Sequence, residues 1–216
     1  MKLCMFHPLD HPLERGWVGR IDGDRVIQLA AQTLQSFFTG GGTPREHAEY
    51  RLDDVVFLAP VLHPPSIRIF RNQASFAFAN PAAVVGPGGV VHGPVATLSV
   101  LPRLAAVIGA HGAIAGFTVL AEWRAPGIRP PKDRDFALGL GPVVVTPDGA
   151  DARRACDAFP EFDWPAAVGH AAAGTVLVAG DLVAGPAAEP VEGVEAGATV
   201  QVRIDGIGAL EQRVAG

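Results

Sequence analysis

Cysteine, charge and long apolar runs are all scarce in this sequence, and each shortage excludes a class of protein. Only Cys4 and Cys156 occur among 216 residues, too few for a disulfide framework or a zinc site. Cys4 reads as a small core residue on a strand, and the chain as a reduced, cytoplasmic protein. Charged residues make up 18%, below the quarter or so usual for soluble domains. A surface so poor in charge implies apolar area covered by a second subunit. The net charge of −5 leaves no basic face for nucleic acid. No apolar run approaches the roughly eighteen residues of a membrane span. The opening Met1-Lys2-Leu3-Cys4-Met5-Phe6-His7 lacks the core and cleavage site of a signal peptide. Ser75 and Ser99 have no His/Asp pattern or G-x-S-x-G setting, which argues against a serine hydrolase. No glycine run has the strand–helix context of a phosphate or dinucleotide loop.

Glycine (26) and proline (19) are plentiful and dispersed. Between them lie short Val/Ile runs, the pattern of many short strands and tight turns. Lys2–Phe6, Gly16–Ile21 and Arg25–Leu29 predict a meander, with Asp22-Gly23-Asp24 as its hairpin turn. Ala30–Phe38 predicts a short helix ended by Gly40-Gly41-Gly42, and Pro44–Tyr50 a helical turn. Leu58–Pro65, with three prolines, predicts an extended linker. Strands follow at Ser66–Phe70, Ala82–Val85, Val90–His92, Arg103–Gly109, Gly116–Trp123 and Val143–Thr146. Asp151–Ala158 and Trp164–Ala173 have helical composition. Thr175–Val178, Ala198–Ile204 and Leu210–Val214 complete the strands. The class is mixed α+β and β-rich. A small N-terminal β region, residues 1–60, precedes a main domain, residues 66–216.

Several segments in succession resemble one family. Gly116-Phe117-Thr118-Val119-Leu120-Ala121-Glu122 is similar to a strand that ends in a metal-binding Asp. Lys132-Asp133-Arg134-Asp135-Phe136-Ala137-Leu138-Gly139-Leu140-Gly141-Pro142 resembles the K-x-x-D-F-A-x-x-L-G-P stretch around an active-site lysine. Phe78-Ala79-Asn80-Pro81 with Val85-Gly86-Pro87-Gly88 resembles a substrate-side loop. Leu104–Gly109 resembles the strand after a pair of glutamates. Gly180-Asp181 and Gly206-Ile207-Gly208-Ala209-Leu210 resemble closing turns. Together they resemble the fumarylacetoacetate hydrolase superfamily over most of Ser66–Val214. The resemblance implies a β-roll of mixed strands preceded by a small N-terminal β region, and a homodimer. It also implies chemistry on small dicarbonyl compounds and 2-oxo acids through enolate-like species.

The same comparison of motifs implies losses. Family members hold a hard divalent cation with an E-x-E pair and an Asp, because such cations need oxygen ligands. The pair falls on Leu101-Pro102-Arg103, and the third ligand on Glu122. Where the family's catalytic His and acid are expected, the chain reads Phe70-Arg71-Asn72-Gln73-Ala74-Ser75-Phe76. The loop after Glu122 reads Trp123-Arg124-Ala125-Pro126, and the expected G-T turn reads Ala184-Gly185-Pro186. The expectation is therefore no metal and no cofactor.

The remaining candidates are Glu122 as general base and Lys132 as a cation for substrate or a nucleophile, both in catalytic roles. Substrate binding is assigned to Arg71, Arg103, Arg124 and Asp135, the arginines as an anion pocket and Asp135 as the orienter of Lys132. If a pocket survives, Glu122 and Lys132 should face it together with at least one of those arginines. Each candidate has a plainer reading, Glu122 as a paired relic and the others as solvated surface groups. His92 reads as structural. Two functions stand open. One is a metal-independent enzyme on a small anionic dicarbonyl, 2-oxo acid or polyketide-like substrate. The other is an inactive relative that binds a small ligand or a partner protein. The expected partners are a small anionic substrate and a second copy of the chain, with no nucleic acid and no membrane.

Overall fold

The computed structural model describes residues 1–216. Its first strands are β1 (Lys2–Pro8), β2 (Trp17–Asp22), β3 (Arg25–Leu29), β4 (Glu46–Arg51) and β5 (Val55–Leu58). Then come β6 (Ile67–Asn72), β7 (Ser75–Ala79), β8 (Val84–Val85), β9 (Val90–Val91), β10 (Thr97–Ile108), β11 (Ile114–Arg124), β12 (Leu138–Leu140) and β13 (Val143–Val145). The last are β14 (Leu182–Ala187), β15 (Val191–Glu195), β16 (Thr199–Ile204) and β17 (Gly208–Val214). Helices are few: α1 (Leu34–Thr39), α2 (Ala150–Asp157) and α3 (Trp164–Ala172). No helix is long and apolar enough to cross a membrane.

Most strands join one sheet, in the order β4-β3-β2-β1-β13-β11-β10-β14-β6-β7, with β5, β8, β12 and β15 attached along its sides. The meander forms as its turn chemistry predicts, Gly23 taking a φ of 58° between β2 and β3. Strands from both sides of the proline-rich stretch share this sheet. β1 pairs with β13, setting Leu3 opposite Val144.

Alternation along the long β10–β11 pair sorts the core into two sides. Leu104, Ala106, Val119, Ala121 and Trp123 pack on one side. Ala105, Val107 and Leu120 pack on the other, with Leu3, Met5, Ile67, Ile69 and Leu138. A smaller sheet, β16-β17-β9, covers the first side. Gln212 ties it down: its Oε1 accepts from Trp123 Nε1 at 2.8 Å, and its Nε2 donates to the Val85 carbonyl at 3.1 Å. Gln212 is almost wholly buried, so both ends of the amide need such partners.

Three local expectations are corrected. Pro44–Tyr50 does not form a helical turn; Glu46–Arg51 is the edge strand β4. Its Tyr50 packs on Phe6 and Trp17, and exposed ion pairs, Arg20–Glu46 at 2.7 Å and Arg25–Glu49 at 2.6 Å, line its outer side. The helix at Ala30–Phe38 begins only at Leu34, where Thr33 and Ser36 close a capping box. Thr175–Val178 is not a strand. It is irregular and leads into the turn Val178–Asp181, where the Val178 amide donates to Asp181 Oδ2 at 2.8 Å.

Candidate functional site

The candidate site lies where the second side of the β10–β11 pair runs out of apolar residues. In the register of that pair Leu101 stands opposite Glu122, Arg103 opposite Leu120 and Ser99 opposite Arg124. Period-two alternation therefore places Leu101, Arg103, Glu122 and Arg124 on one face. Three of these four carry charge, and they meet.

Arg103 Nε donates to Glu122 Oε2 at 2.7 Å, with Arg103 4% and Glu122 0% exposed. Arg103 Nη1 also donates to two carbonyls, Gly185 at 2.7 Å and Phe70 at 3.2 Å. A one-residue bulge supplies the first of them. Arg103 and Ala105 face Ala187 and Ala184 on β14, so three residues of β14 span two of β10. The bulge re-aims the Gly185 carbonyl. A Cβ on Gly185 would lie 2.9 Å from the Trp164 ring, so any side chain there forces the ring or the strand to shift. Ala184-Gly185-Pro186, expected to be a turn, is thus a strand interrupted to hold Arg103.

Pro102 fits the same junction. It has no N–H to offer a ladder, and it stands where the partner of β10 changes from β15 to β14.

The loop after β11 returns to close the cluster. Its fold is pinned by the Ala125 amide donating to the Asp133 carbonyl at 2.7 Å. Asp133 is buried and accepts from Arg134 Nη2 at 2.7 Å and from Arg134 Nε at 2.9 Å, a two-pronged pair. Arg124 bridges the carboxylates, with Nη2 2.6 Å from Glu122 Oε1 and Nη1 3.5 Å from Asp133 Oδ2. The Arg124–Glu122 contact is close but is not aligned as a hydrogen bond, and both Glu122 Oε1 and Arg124 Nε are buried without one. Arg134 Nη1 is 4.0 Å from Glu122 Oε1.

Charge and burial set the acid–base character. Burial lowers the Arg103 pKa from its ordinary value; Glu122 opposes the shift, while the Arg124 and Arg134 charges reinforce it. Hydrogen bonds from Arg134 hold the Asp133 carboxyl below its usual range against the opposing effect of burial. The reciprocal bond raises Arg134.

Glu122, Arg103 and Arg124 thus come together. Lys132 does not join them. Its Nζ is 2.8 Å from Asp135 Oδ2, and its side chain is 77% exposed. Arg71 is exposed at the end of β6. The Asp135 carbonyl accepts from Asn80 Nδ2 at 3.1 Å, so the lysine loop and the Phe78–Pro81 loop do meet. A partly open cleft lined by Met5, Arg15, Thr33, Gln35, Leu62 and His63 lies elsewhere, in the N-terminal region.

Asp133 and Arg134 were given no role by the sequence. In the turn Lys132-Asp133-Arg134-Asp135 the outer residues pair with each other and the middle two face the cluster, an arrangement that the composition of the run does not signal. Arg68 and Asp181 were also missed. They form a second buried pair, 4.0 Å apart, with Ser66 Oγ donating to Asp181 Oδ1 at 2.6 Å.

The donor set does not fit a divalent cation. At the three positions where the resemblance places carboxylates stand Leu101, Arg103 and Glu122, and a guanidinium nitrogen sits against the one carboxylate. No group of three His, Cys, Asp or Glu side chains is arranged to hold a metal ion.

Neither a protein-family model nor a curated protein matches the sequence. Solved structures do. The chain aligns over 100% of its length, and 99% of the other, with maleylpyruvate hydrolase from Sphingobium sp. SYK-6 in complex with manganese(II) ion and pyruvate, at 19% identity and a TM-score of 0.78. Coverage is the same for 5-carboxymethyl-2-hydroxymuconate delta-isomerase from Mycobacterium smegmatis, at 21% and 0.75. It is the same again for 2-keto-3-deoxy-D-arabinonate dehydratase complexed with magnesium and 2,5-dioxopentanoate, at 16% and 0.75. These enzymes belong to one superfamily, and end-to-end likeness to them shows that this chain has the fumarylacetoacetate hydrolase fold.

Proposed function

We propose that the chain acts on a small anionic dicarbonyl or 2-oxo acid without a divalent cation, arginine supplying the positive charge. One observation carries this reading, the 2.7 Å contact of Arg103 Nε with Glu122 Oε2 at nearly complete burial. The motif resemblance places the family's metal-binding carboxylates on that face. Here a guanidinium compensates the one that remains. The structural relatives, by their names, hydrolyse, isomerise or dehydrate small oxo acids. Reactions of that kind develop negative charge on an enolate-like oxygen, and fixed positive groups in a water-poor site stabilise it. Glu122 then anchors the arginines, and Lys132 would contribute once its Nζ leaves Asp135.

The test is turnover of oxaloacetate and a series of acylpyruvates in excess chelator. The reading expects turnover that chelator leaves unchanged. Turnover only on addition of Mg²⁺ or Mn²⁺ would contradict it.

A second reading, an inactive fold member that binds a small ligand or a partner protein, is favoured by a different observation. Both Glu122 oxygens lie against guanidinium groups and the side chain has no exposed surface. A carboxylate so enclosed takes no proton from a substrate unless Arg124 moves. Absence of turnover across the whole series, with or without metal, selects this reading.

A further inference from the structure

The charges around Glu122 do not balance. Arg103, Arg124 and Arg134 face Glu122 and Asp133 in one connected network of ion pairs. Three cations against two anions leave one uncompensated positive charge. Lys132 and Asp135 pair with each other and cancel, so they do not alter the sum. An unbalanced charge at a desolvated site is costly. Unmatched bonding adds to it, since Arg124 Nε is buried with no acceptor.

We propose that Arg124 and Arg134 form a receptor for one small carboxylate, with Glu122 and Asp133 as its fixed counterions. Exposure decides which arginines receive it. The Arg103 side chain is 5% exposed and its nitrogens are committed to Glu122, Phe70 and Gly185. Arg124 is 24% exposed and Arg134 13%, so an anion approaching from solvent meets these two. Both already lie near Glu122 Oε1, which holds their guanidinium groups side by side. A planar carboxylate suits two such groups better than a spherical ion, because each oxygen takes its own N–H. Burial is the main cause of the lowered Arg103 pKa, and the Arg124 and Arg134 charges add to it in the same direction. The proposal rests on the metal-free reading above, because a divalent cation at Glu122 would expel these arginines.

The experiment is calorimetric titration of sodium formate, and separately sodium chloride, into the full chain in chelator at low ionic strength. Formate is not a substrate, so the outcome is independent of turnover. Wild type should take up one equivalent of formate, severalfold more tightly than chloride. Arg203→Gln, at an exposed arginine on β16 outside the site, should bind as wild type, and Arg124→Gln at least tenfold more weakly. Should Arg124→Gln fail to fold, Arg124→Lys keeps the charge and removes Nε. It should lose the preference for formate over chloride. No saturable binding to wild type, equal binding of formate and chloride, or undiminished formate binding to Arg124→Gln would each overturn the proposal. Turnover in chelator without formate binding would leave the functional reading standing and this inference refuted; formate binding without turnover of any substrate would do the reverse.

Discussion

Arg103 and Glu122 stand diagonally across the β10–β11 pair, with 2.7 Å between Nε and Oε2 and both side chains almost out of solvent. Breaking such a pair from one side leaves a buried charge uncompensated, at a cost of about 3–5 kcal/mol; removing both partners together costs far less. Glu122→Met, which leaves three arginines facing Asp133 alone, should lower stability by an amount in that range; Arg103→Met should cost less, because Arg124 Nη2 still lies 2.6 Å from Glu122 Oε1. The double variant should fall at least ~1 kcal/mol short of the sum of the singles. Urea unfolding of the four proteins measures it, and strict additivity would show that the pair is not coupled.

Gly185 serves the same arginine from the other side. Gly185→Ala puts a methyl 2.9 Å from the Trp164 ring, so either the ring or the carbonyl that accepts from Arg103 must shift. A loss of about 1–3 kcal/mol is expected, as for an overpacked core. The nearby exposed Gly193 has nothing within 4 Å of a built Cβ but takes a φ of 70°. Gly193→Ala should therefore cost less, about 1 kcal/mol of backbone strain.

Asp133 makes the cluster sensitive to acid. Its folded pKa lies below the ordinary 3.8, chiefly through the Arg134 hydrogen bond. A lowered carboxyl pKa contributes stability that is complete above the unfolded value and is lost as pH falls through the folded one. Asp133→Asn should therefore be less stable than wild type by roughly 1–3 kcal/mol near neutrality. The difference should hold from about pH 7 to 5 and shrink below about pH 4. Urea midpoints against pH test this, and a gap that widens toward acid would reverse the assigned sign.

Low charge and exposed apolar groups point to a second copy of the chain. Phe78 on the edge strand β7 is 67% exposed, and Val176 is 79% exposed. Closed two-fold dimers are the usual outcome for such a surface. Light scattering should give twice the 22.4 kDa chain mass, and a stable monomer at micromolar concentration would contradict it.

The fold was legible where the signal was local or ordered. The Gly23 hairpin, the runs that became β10 and β11, and the Lys132–Pro142 motif all depend on residues near in sequence. β4 was hard to read, because only Ala48 and Tyr50 alternate inward among charged residues, and their packing partners Phe6 and Trp17 lie far off in sequence. β14 was hidden by Gly185-Pro186, which reads as a turn until Arg103 is placed beneath it. In the site, Glu122, Arg103 and Arg124 were found through motif positions, and register then put them on one face. Lys132 was drawn toward them by resemblance alone. The inward residues of its turn are its neighbours Asp133 and Arg134, a choice made by the turn's backbone and not by composition.

The account turns on whether a guanidinium has taken over the compensation of Glu122. Titration of Mn²⁺ into the wild-type chain, followed by electron paramagnetic resonance and calorimetry, is the most direct test, with Glu122→Gln as the control. No saturable site up to millimolar Mn²⁺, and identical traces for the two proteins, are the expected result. One equivalent of bound Mn²⁺ in wild type, lost in Glu122→Gln, would contradict it.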